Sequence, residues 1–191
     1  MKAATKTNLP VNETLQIIYT RRSVRKYKET AVAKELIEQI IDAGRMAPSA
    51  INRQPWKFYV LNNKIRILSF SAEIAKVVEQ SHPLAHGVNP PPAGDFVFHG
   101  APVVIFITAP KDNEWAGLDI GMCAQNMMLA AKSMGLDTCP VGLGKFVEQT
   151  SIFSELKVTD TEKIMLAVIL GYGDEQVELK ERRLDNVLFV K

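Results

Sequence analysis

The first segment of this chain with chemical potential is a run of cations, Arg21-Arg22-Ser23-Val24-Arg25-Lys26. Guanidinium groups bind phosphate through paired hydrogen bonds, and a nearby serine hydroxyl adds another donor. The run therefore suits a phosphorylated small molecule. Its position directly after a predicted helix offers an equally good local explanation, because cations are stabilised at helix C-termini.

A second candidate is the segment 47–56, which reads Ala-Pro-Ser-Ala-Ile-Asn-Arg-Gln-Pro-Trp. It offers one hydroxyl and two amides among small residues and prolines that restrict the backbone. Such a loop can lay its polar groups along a flat heteroaromatic ligand. A rigid connection between a helix and a strand, with Trp56 in the core, explains the composition equally well.

The third candidate is the segment 137–144, which reads Asp-Thr-Cys-Pro-Val-Gly-Leu-Gly. Glycines allow a ligand to approach the backbone closely and leave N–H groups free to donate. The spacing of Gly142 and Gly144 lacks the third glycine of a dinucleotide-binding fingerprint. Phe146 stands where a phosphate-binding P-loop requires serine or threonine. A simple tight turn is the commoner explanation of this pattern.

Other familiar catalytic and metal-binding patterns are missing from the sequence. His82 and His86 are separated by Pro83, and neither a cysteine nor a carboxylate completes a metal-binding set. No Gly-x-Ser-x-Gly motif supports a serine hydrolase. Cys123 lies among apolar residues and is predicted to belong to the core. We therefore expect no metal site.

The elements that must position these segments alternate without a strict strand–helix–strand rhythm, which predicts an α+β fold. Hydrophobic periodicity predicts helices over residues 12–19, 33–46, 62–80, 112–134 and 145–156. It predicts strands over residues 57–61, 103–108 and 163–170, and a short strand at Val141. Residues 1–10 are a loose lead-in, and 82–100, with four prolines and three glycines, is a long loop or lid.

The bulk composition predicts one domain over residues 1–191, because 47% hydrophobic and 23% charged residues are ordinary for a globular protein. A net charge of +2 gives no global attraction to nucleic acid. The apolar stretches fall short of the roughly 20 residues that span a membrane. Two cysteines without metal spacing favour a reducing compartment, so we expect a cytoplasmic protein with neither a nucleic-acid nor a membrane partner.

Taken together and in this order, the three segments resemble the nitroreductase family of FMN-dependent NAD(P)H oxidoreductases. The most specific matches are Arg-Arg-Ser-x-Arg-x-Tyr at 21–27 and Ala-Pro-Ser-Ala-x-Asn-x-Gln-Pro-Trp at 47–56. Weaker matches lie at 100–105 and 119–131. The resemblance extends from Thr20 to about Leu188, nearly the whole chain.

The resemblance implies a nitroreductase-like fold, with a central mixed β-sheet flanked by helices, in an intertwined homodimer with FMN at the subunit interface. The C-terminal extension, residues 177–191, would embrace the partner subunit. The implied reaction is a ping-pong transfer: NADH or NADPH reduces FMN, and a nitroaromatic, a quinone or a similar small acceptor reoxidises it. The flavin carries this chemistry, so no catalytic side chain is implied.

The resemblance also implies a role for individual residues. Arg21 and Ser23 would hold the phosphate and ribityl end of FMN, with Arg22 alongside, and Arg25 would lie near the N1–C2 edge of the ring. The residues expected to approach FMN from the partner subunit are Pro48, Ser49, Ala50 and Asn52. Those expected to run past the ring, with a backbone N–H near N5, are Pro140, Val141, Gly142 and Leu143.

Near the chain end, Arg182 and Arg183 match the basic pair that would complete the phosphate site. The tail departs from the family pattern at Gly173, where proline is frequent, and in the mixed charges of residues 178–181. This departure leaves Lys180, Arg182 and Arg183 as alternatives for the phosphate contact.

Several other functions compete with this interpretation. A specialised member of the same family would be a flavin reductase, an enone reductase or a reductive dehalogenase. An FMN-binding protein without turnover would use the same motifs. A nucleic-acid-binding module built on 21–26 is disfavoured by the near-neutral charge and the absence of interleaved aromatic residues.

Overall fold

The fold is built on a four-stranded sheet in the order β1-β2-β4-β3. The computed structural model describes residues 12–81, 95–183 and 185–190. The strands are β1 (Lys57–Leu61), β2 (Val103–Pro110), β3 (Asp137–Val141) and β4 (Glu162–Gly171). Each neighbouring pair is antiparallel. Within these described ranges, the parallel component of the expected mixed sheet is one isolated bridge between Ser23 and Thr138.

Four α-helices flank this sheet in the described part of the chain. They are α1 (Glu13–Thr20), α2 (Lys34–Arg45), α3 (Lys64–Ser81) and α4 (Ala116–Ser133). Asn12 is the N-cap of α1, because its side chain accepts a hydrogen bond of 2.9 Å from the Leu15 N–H. The helix α4 begins later than predicted, since Asn113 accepts from the Trp115 N–H at 3.0 Å and closes a turn before it.

The single helix predicted over 145–156 is wrong in type and continuity. The structure has two 3-10 helices there, Gly142–Gln149 and Phe153–Leu156. Thr150 lies between them in an extended conformation, and its hydroxyl donates to the Val147 carbonyl at 2.7 Å. This side chain competes with the continuing helix for a backbone carbonyl, as threonine often does at helix ends.

Strand β2 is the centre of the core, because both of its faces are buried. Val103, Ile105 and Ile107 pack in the cluster that includes α2 and α4. Val104 and Phe106 pack in the second cluster, with α3 and the chain around Val24. The near-continuous apolar sequence of 103–108 reflects this two-sided burial. Cys123 belongs to the first cluster, as predicted, and so does Trp56, which agrees with the structural alternative for segment 47–56.

A buried carboxylate ties three strands together at one end of the sheet. Glu162 on β4 accepts hydrogen bonds from the Tyr59 hydroxyl at 2.9 Å and the Thr108 hydroxyl at 3.4 Å, and it pairs with Lys57. Burial pushes the pKa of Glu162 upward, but these donors outweigh burial and hold that pKa below its usual value. The carboxylate therefore stays ionised at neutral pH and joins β1 and β2 to β4.

The predicted 82–100 loop is described only over 95–100, and there it is anchored. The Asp95 carboxylate accepts from the Ser71 hydroxyl, from the Phe98 N–H at 2.7 Å and from the Gly100 N–H at 3.3 Å. Val97 and Phe98 are fully buried. Residues 82–94, the bulk of the expected lid, lie outside the described residues, as does the lead-in 1–10.

Candidate functional site

The cationic run leaves α1 and crosses from the start of β3 to the end of β4. The Val24 N–H donates to the Thr138 carbonyl at 3.1 Å, and the Lys28 N–H donates to the Tyr172 carbonyl at 2.9 Å. Val24 and Tyr27 are buried, so they anchor the segment in the core. The first and third candidate segments, separate in sequence, therefore lie side by side.

Arginines from both ends of the chain meet at the exit of α1. Burial lowers the pKa of Arg21, and the charges of Arg22 and Arg182 lower it further. Arg22 donates through Nη1 to the carbonyls of Tyr19 and Arg21, at 2.8 and 2.7 Å. Three cations this close repel one another, so the arrangement costs free energy unless an anion lies among them.

Two guanidinium atoms in this arginine cluster lack the partners that buried donors require. Within the described residues, Nη1 of Arg21 and Nε of Arg22 are buried and donate to no hydrogen-bond acceptor. A buried donor without a partner costs about 1–3 kcal/mol, more when it is charged. A phosphate offers several anionic acceptors in a small volume, so the residues present fit such a group.

The two arginines of the tail, Arg182 and Arg183, have different neighbours in the structure. Arg182 lies close enough for its charge to act on Arg21. Arg183 instead binds Asp185 through Nε and Nη2, both at 3.1 Å, and is exposed. Lys180 and Arg182 are exposed as well, so exposure does not distinguish the three residues. Of the three tail alternatives, Arg182 is the one that joins the arginine cluster.

Ser23 lies beside two residues of β3 whose individual importance the sequence does not signal. It forms the parallel bridge to Thr138, whose hydroxyl is buried and unpartnered in the described structure. Burial raises the pKa of the Cys139 thiol, while Arg25, a hydrogen bond with Ser23 and Arg21 act in the opposite direction. Cys139 therefore stays protonated and inert, in contact with the cationic segment.

Arg25 lies on the exposed side of the same segment, next to residues from two distant parts of the chain. Its backbone N–H donates to the Glu175 carboxylate, and Nη1 makes a 3.4 Å contact with the Ser23 carbonyl. His99, half-buried with φ of +55°, is the third neighbour. Burial and then the charge of Arg25 lower the pKa of His99, so the imidazole is neutral at pH 7.

The stretch 140–143 comprises the last two residues of β3 and the first two residues of the 3-10 helix that follows it. Val141 is buried and Leu143 packs against the core, whereas Gly142 is exposed. A Cβ on Gly142 would meet nothing within 4 Å, so its backbone is open to a ligand. Gly144 has a different requirement: a Cβ there would lie 2.5 Å from Cβ of Ala167. Close packing on β4 explains that glycine without any ligand.

The segment 47–56 forms a strained loop after α2. Ile51, Asn52 and Gln54 have positive φ values of 48°, 57° and 48°. The Ser49 hydroxyl accepts from the Gln54 N–H at 2.9 Å, and the buried Asp119 accepts from the Ala50 N–H at 3.1 Å. Left-handed non-glycine residues cost about 1–3 kcal/mol each and cluster at ligand-binding sites.

No helix in the described ranges is long and apolar enough to cross a membrane. Residues 12–81, 95–183 and 185–190 hold no group of three or more His, Cys, Asp and Glu side chains arranged to bind a metal ion.

Comparison with known proteins identifies the family and the fold. A family model described as the nitroreductase family matches residues 18–172. The chain belongs to the nitroreductase family. Its relatives include a 4-nitrobenzoate reductase of Pseudomonas putida, 31% identical, with 88% of each chain covered.

Solved nitroreductase structures share the fold. The structure from Desulfitobacterium hafniense, described as a nitroreductase with bound FMN, is 26% identical with a TM-score of 0.80. It matches 94% of this chain and 99% of that one. A nitroreductase with bound FMN from Bacteroides fragilis is 25% identical with a TM-score of 0.79, over 94% and 100% of the two chains.

Within this nitroreductase-family fold, the chain assembles only part of the expected cofactor site. Segments 21–25 and 138–143 and residue Arg182 lie together, as described above. The loop 48–54 does not join them. Its hydrogen bonds among the described residues run within itself and to α4.

Proposed function

We propose that this protein is an FMN-dependent oxidoreductase that uses NADH or NADPH to reduce a nitroaromatic, a quinone or a similar small acceptor. The observation that carries the proposal is the pair of buried, unpartnered guanidinium atoms on Arg21 and Arg22, beside Arg182. Relatives named 4-nitrobenzoate reductase and neighbours with bound FMN support it. Bound FMN would supply the two-electron chemistry.

The phosphate end of FMN would bind at the arginine cluster. Arg21 and Arg22 offer the donors that lack partners, and Arg182 adds charge from the tail. Ser23 is positioned by its bridge to β3 and would add a hydroxyl donor. Burial of Arg21 strengthens its attraction to a phosphate, because water screens the pair less.

The ring end of FMN would lie between Arg25 and the open backbone at Gly142. A cation near the N1–C2 edge stabilises the negative charge that reduction places there. An N–H of the 140–143 stretch would orient the ring without adding a group that titrates. In this proposal the protein's own residues bind, orient and tune the cofactor, and none of them acts as an acid or a nucleophile.

We further propose a homodimer, in which Pro48, Ser49, Ala50 and Asn52 reach the cofactor of the other subunit. The support is an extensive exposed apolar surface. Helix α1 buries none of its residues, and Pro48 lines an open groove of about 350 Å³ with residues of α4. In the tail, Leu188, Phe189 and Val190 are 87–89% exposed. A monomer rarely leaves so much apolar surface in water.

The dimer is tested by placing a charge on the groove. Leu118 on α4 lines this groove and is 58% exposed. Leu118→Asp is expected to yield a monomer, because burying a carboxylate without a partner in the subunit interface costs several kcal/mol. Leu68→Asp is the matched control, since Leu68 is 43% exposed on α3, which packs in the other core cluster. Sedimentation velocity measures both variants. A wild-type protein that sediments as a monomer with FMN bound contradicts the proposal.

The proposed activity is tested by absorbance spectroscopy of the purified protein. We expect a yellow protein that loses the visible absorbance of oxidised flavin when NADH or NADPH is added anaerobically. The absorbance is expected to return when a nitroaromatic or a quinone is added. A colourless protein that takes up no FMN refutes the proposal. A yellow protein whose bound flavin is reduced by neither NADH nor NADPH indicates a flavin-binding protein without turnover.

A further inference from the structure

The segment that carries Arg25 is held by a short ladder of backbone hydrogen bonds to the chain after β4. The Lys28 N–H donates to the Tyr172 carbonyl and the Asp174 N–H donates to the Lys26 carbonyl, both at 2.9 Å. Tyr27 and Gly173 form the bridge between them. At the next position, a side chain replaces the backbone acceptor: the Arg25 N–H donates to the Glu175 carboxylate. Glu175 therefore extends the ladder to Arg25.

The Arg25 side chain has little else to hold it. It is exposed, and among the described residues its guanidinium makes one long hydrogen bond of 3.4 Å, to the Ser23 carbonyl. The direction of this side chain is therefore set mainly by the backbone at residue 25. That backbone is fixed on one side by β3, through Val24, and on the other by Glu175.

The charges of Glu175 and Arg25 act on the same neighbouring groups with opposite signs. Burial is the main influence on the pKa values of Tyr27, His99 and Cys139. On each of them, Glu175 pushes the pKa up and Arg25 pushes it down. The carboxylate and the guanidinium therefore lie near the same three groups, on which their charges act with opposite signs.

We propose that Glu175 is a positioning residue for Arg25, which fixes the Arg25 backbone and offsets part of its charge at the ring edge of bound FMN. This inference rests on the proposed function. Beside the Glu175 carboxylate, Arg25 would stabilise the negative charge of reduced FMN less than an unopposed cation would. The carboxylate therefore keeps the bound flavin a stronger reductant, which favours transfer of electrons onward to an acceptor.

The test uses two substitutions of Glu175 that separate the hydrogen bond from the charge. Glu175→Gln keeps an acceptor for the Arg25 N–H and removes the charge. We expect the midpoint potential of bound FMN to rise, with about a tenfold gain in the affinity for reduced over oxidised FMN, equivalent to about 30 mV for a two-electron couple. Glu175→Ala removes the acceptor as well, and is expected to weaken FMN binding several-fold.

Asp174→Asn is the matched control. It removes a carboxylate one residue away that pairs with the exposed Lys26 at 3.5 Å, and it leaves the ladder intact. We expect its midpoint potential to match the wild type. A Glu175→Gln protein whose potential is unchanged or lowered overturns the proposal, and so does an equal rise in Asp174→Asn.

Hydrogen exchange of the Arg25 amide tests the contact without any cofactor. In the apoprotein, we expect this amide to exchange faster in Glu175→Ala than in the wild type, and Glu175→Gln to restore its protection. Equal exchange in all three proteins overturns the positioning role. A wild-type protein that binds no FMN refutes the proposed function instead, and the exchange experiment still decides whether Glu175 holds Arg25.

Discussion

Arg21→Ala is expected to weaken FMN binding by about 1.5–3 kcal/mol, roughly 10- to 150-fold in Kd. The reason is that Arg21 presents a buried Nη1 without a hydrogen-bond partner in the described structure, beside two further cations. The phosphate would satisfy that donor and neutralise the repulsion. Fluorescence titration of the apoprotein with FMN, at fixed salt concentration, measures the change in Kd.

Riboflavin is the ligand control, because it lacks the phosphate. Its affinity is expected to be the same in Arg21→Ala and in the wild type. Equal losses for FMN and riboflavin would show that the substitution damages the site generally, which contradicts a phosphate-specific role for Arg21.

The tail arginines provide a second, internal comparison. Arg182→Ala is expected to weaken FMN binding several-fold, since Arg182 is the tail residue whose charge reaches Arg21. Arg183→Ala is expected to leave it unchanged, because the Arg183 guanidinium is already paired with Asp185. The reverse order of effects would assign the tail contact to Arg183.

Phe106→Ala is expected to lower the free energy of unfolding by about 3–5 kcal/mol, the usual cost of truncating a buried phenylalanine. Phe106 is fully buried on the central strand β2. Its ring packs edge-on against Phe98 at 5.9 Å between centroids and tilted against Phe70 at 6.2 Å. The second core cluster also holds Val24, so the loss loosens the base of the cationic segment.

Urea unfolding measures this change in the free energy of unfolding. The protein and FMN concentrations are kept fixed, because a bound cofactor adds its own stabilisation. The thermal midpoint is expected to fall by roughly 6–20 °C. Val60→Ala on the neighbouring strand β1 is the control, since Val60 is 38% exposed and its truncation is expected to cost less than about 1 kcal/mol. Equal effects of the two substitutions contradict a rigid aromatic core at β2.

Many features of this protein follow from short stretches of sequence. Asn12 caps α1, the apolar run 103–108 forms the strand buried on both faces, and strand 57–61 has its predicted bounds. The reason is that capping, hydrophobic periodicity and β-branched runs act within a few residues. The family motifs at 21–27 and 47–56 are equally local, and the family match agrees with them.

Predictions failed where neighbouring groups compete for one backbone partner, and they stayed open where a distant contact decides. The helix over 145–156 breaks at Thr150, whose hydroxyl takes a backbone carbonyl. The sequence left Lys180, Arg182 and Arg183 as equal alternatives for the phosphate contact. Arg182 is distinguished from the other two because its charge acts on Arg21. The role of Gly144 is likewise set by Ala167, a residue of another element.

The cationic run 21–26 shows most clearly what the sequence determined and what only the tertiary structure decided. Sequence alone determined that Arg21, Arg22 and Arg25 follow a helix and suit a phosphate, and family resemblance assigned them separate tasks. Only the tertiary structure decided which atoms are buried without partners, that β3 lies beside Ser23, and that Glu175 meets the Arg25 N–H from 150 residues away. Such pairings depend on how the sheet brings distant segments together, and no local pattern in the chain encodes them.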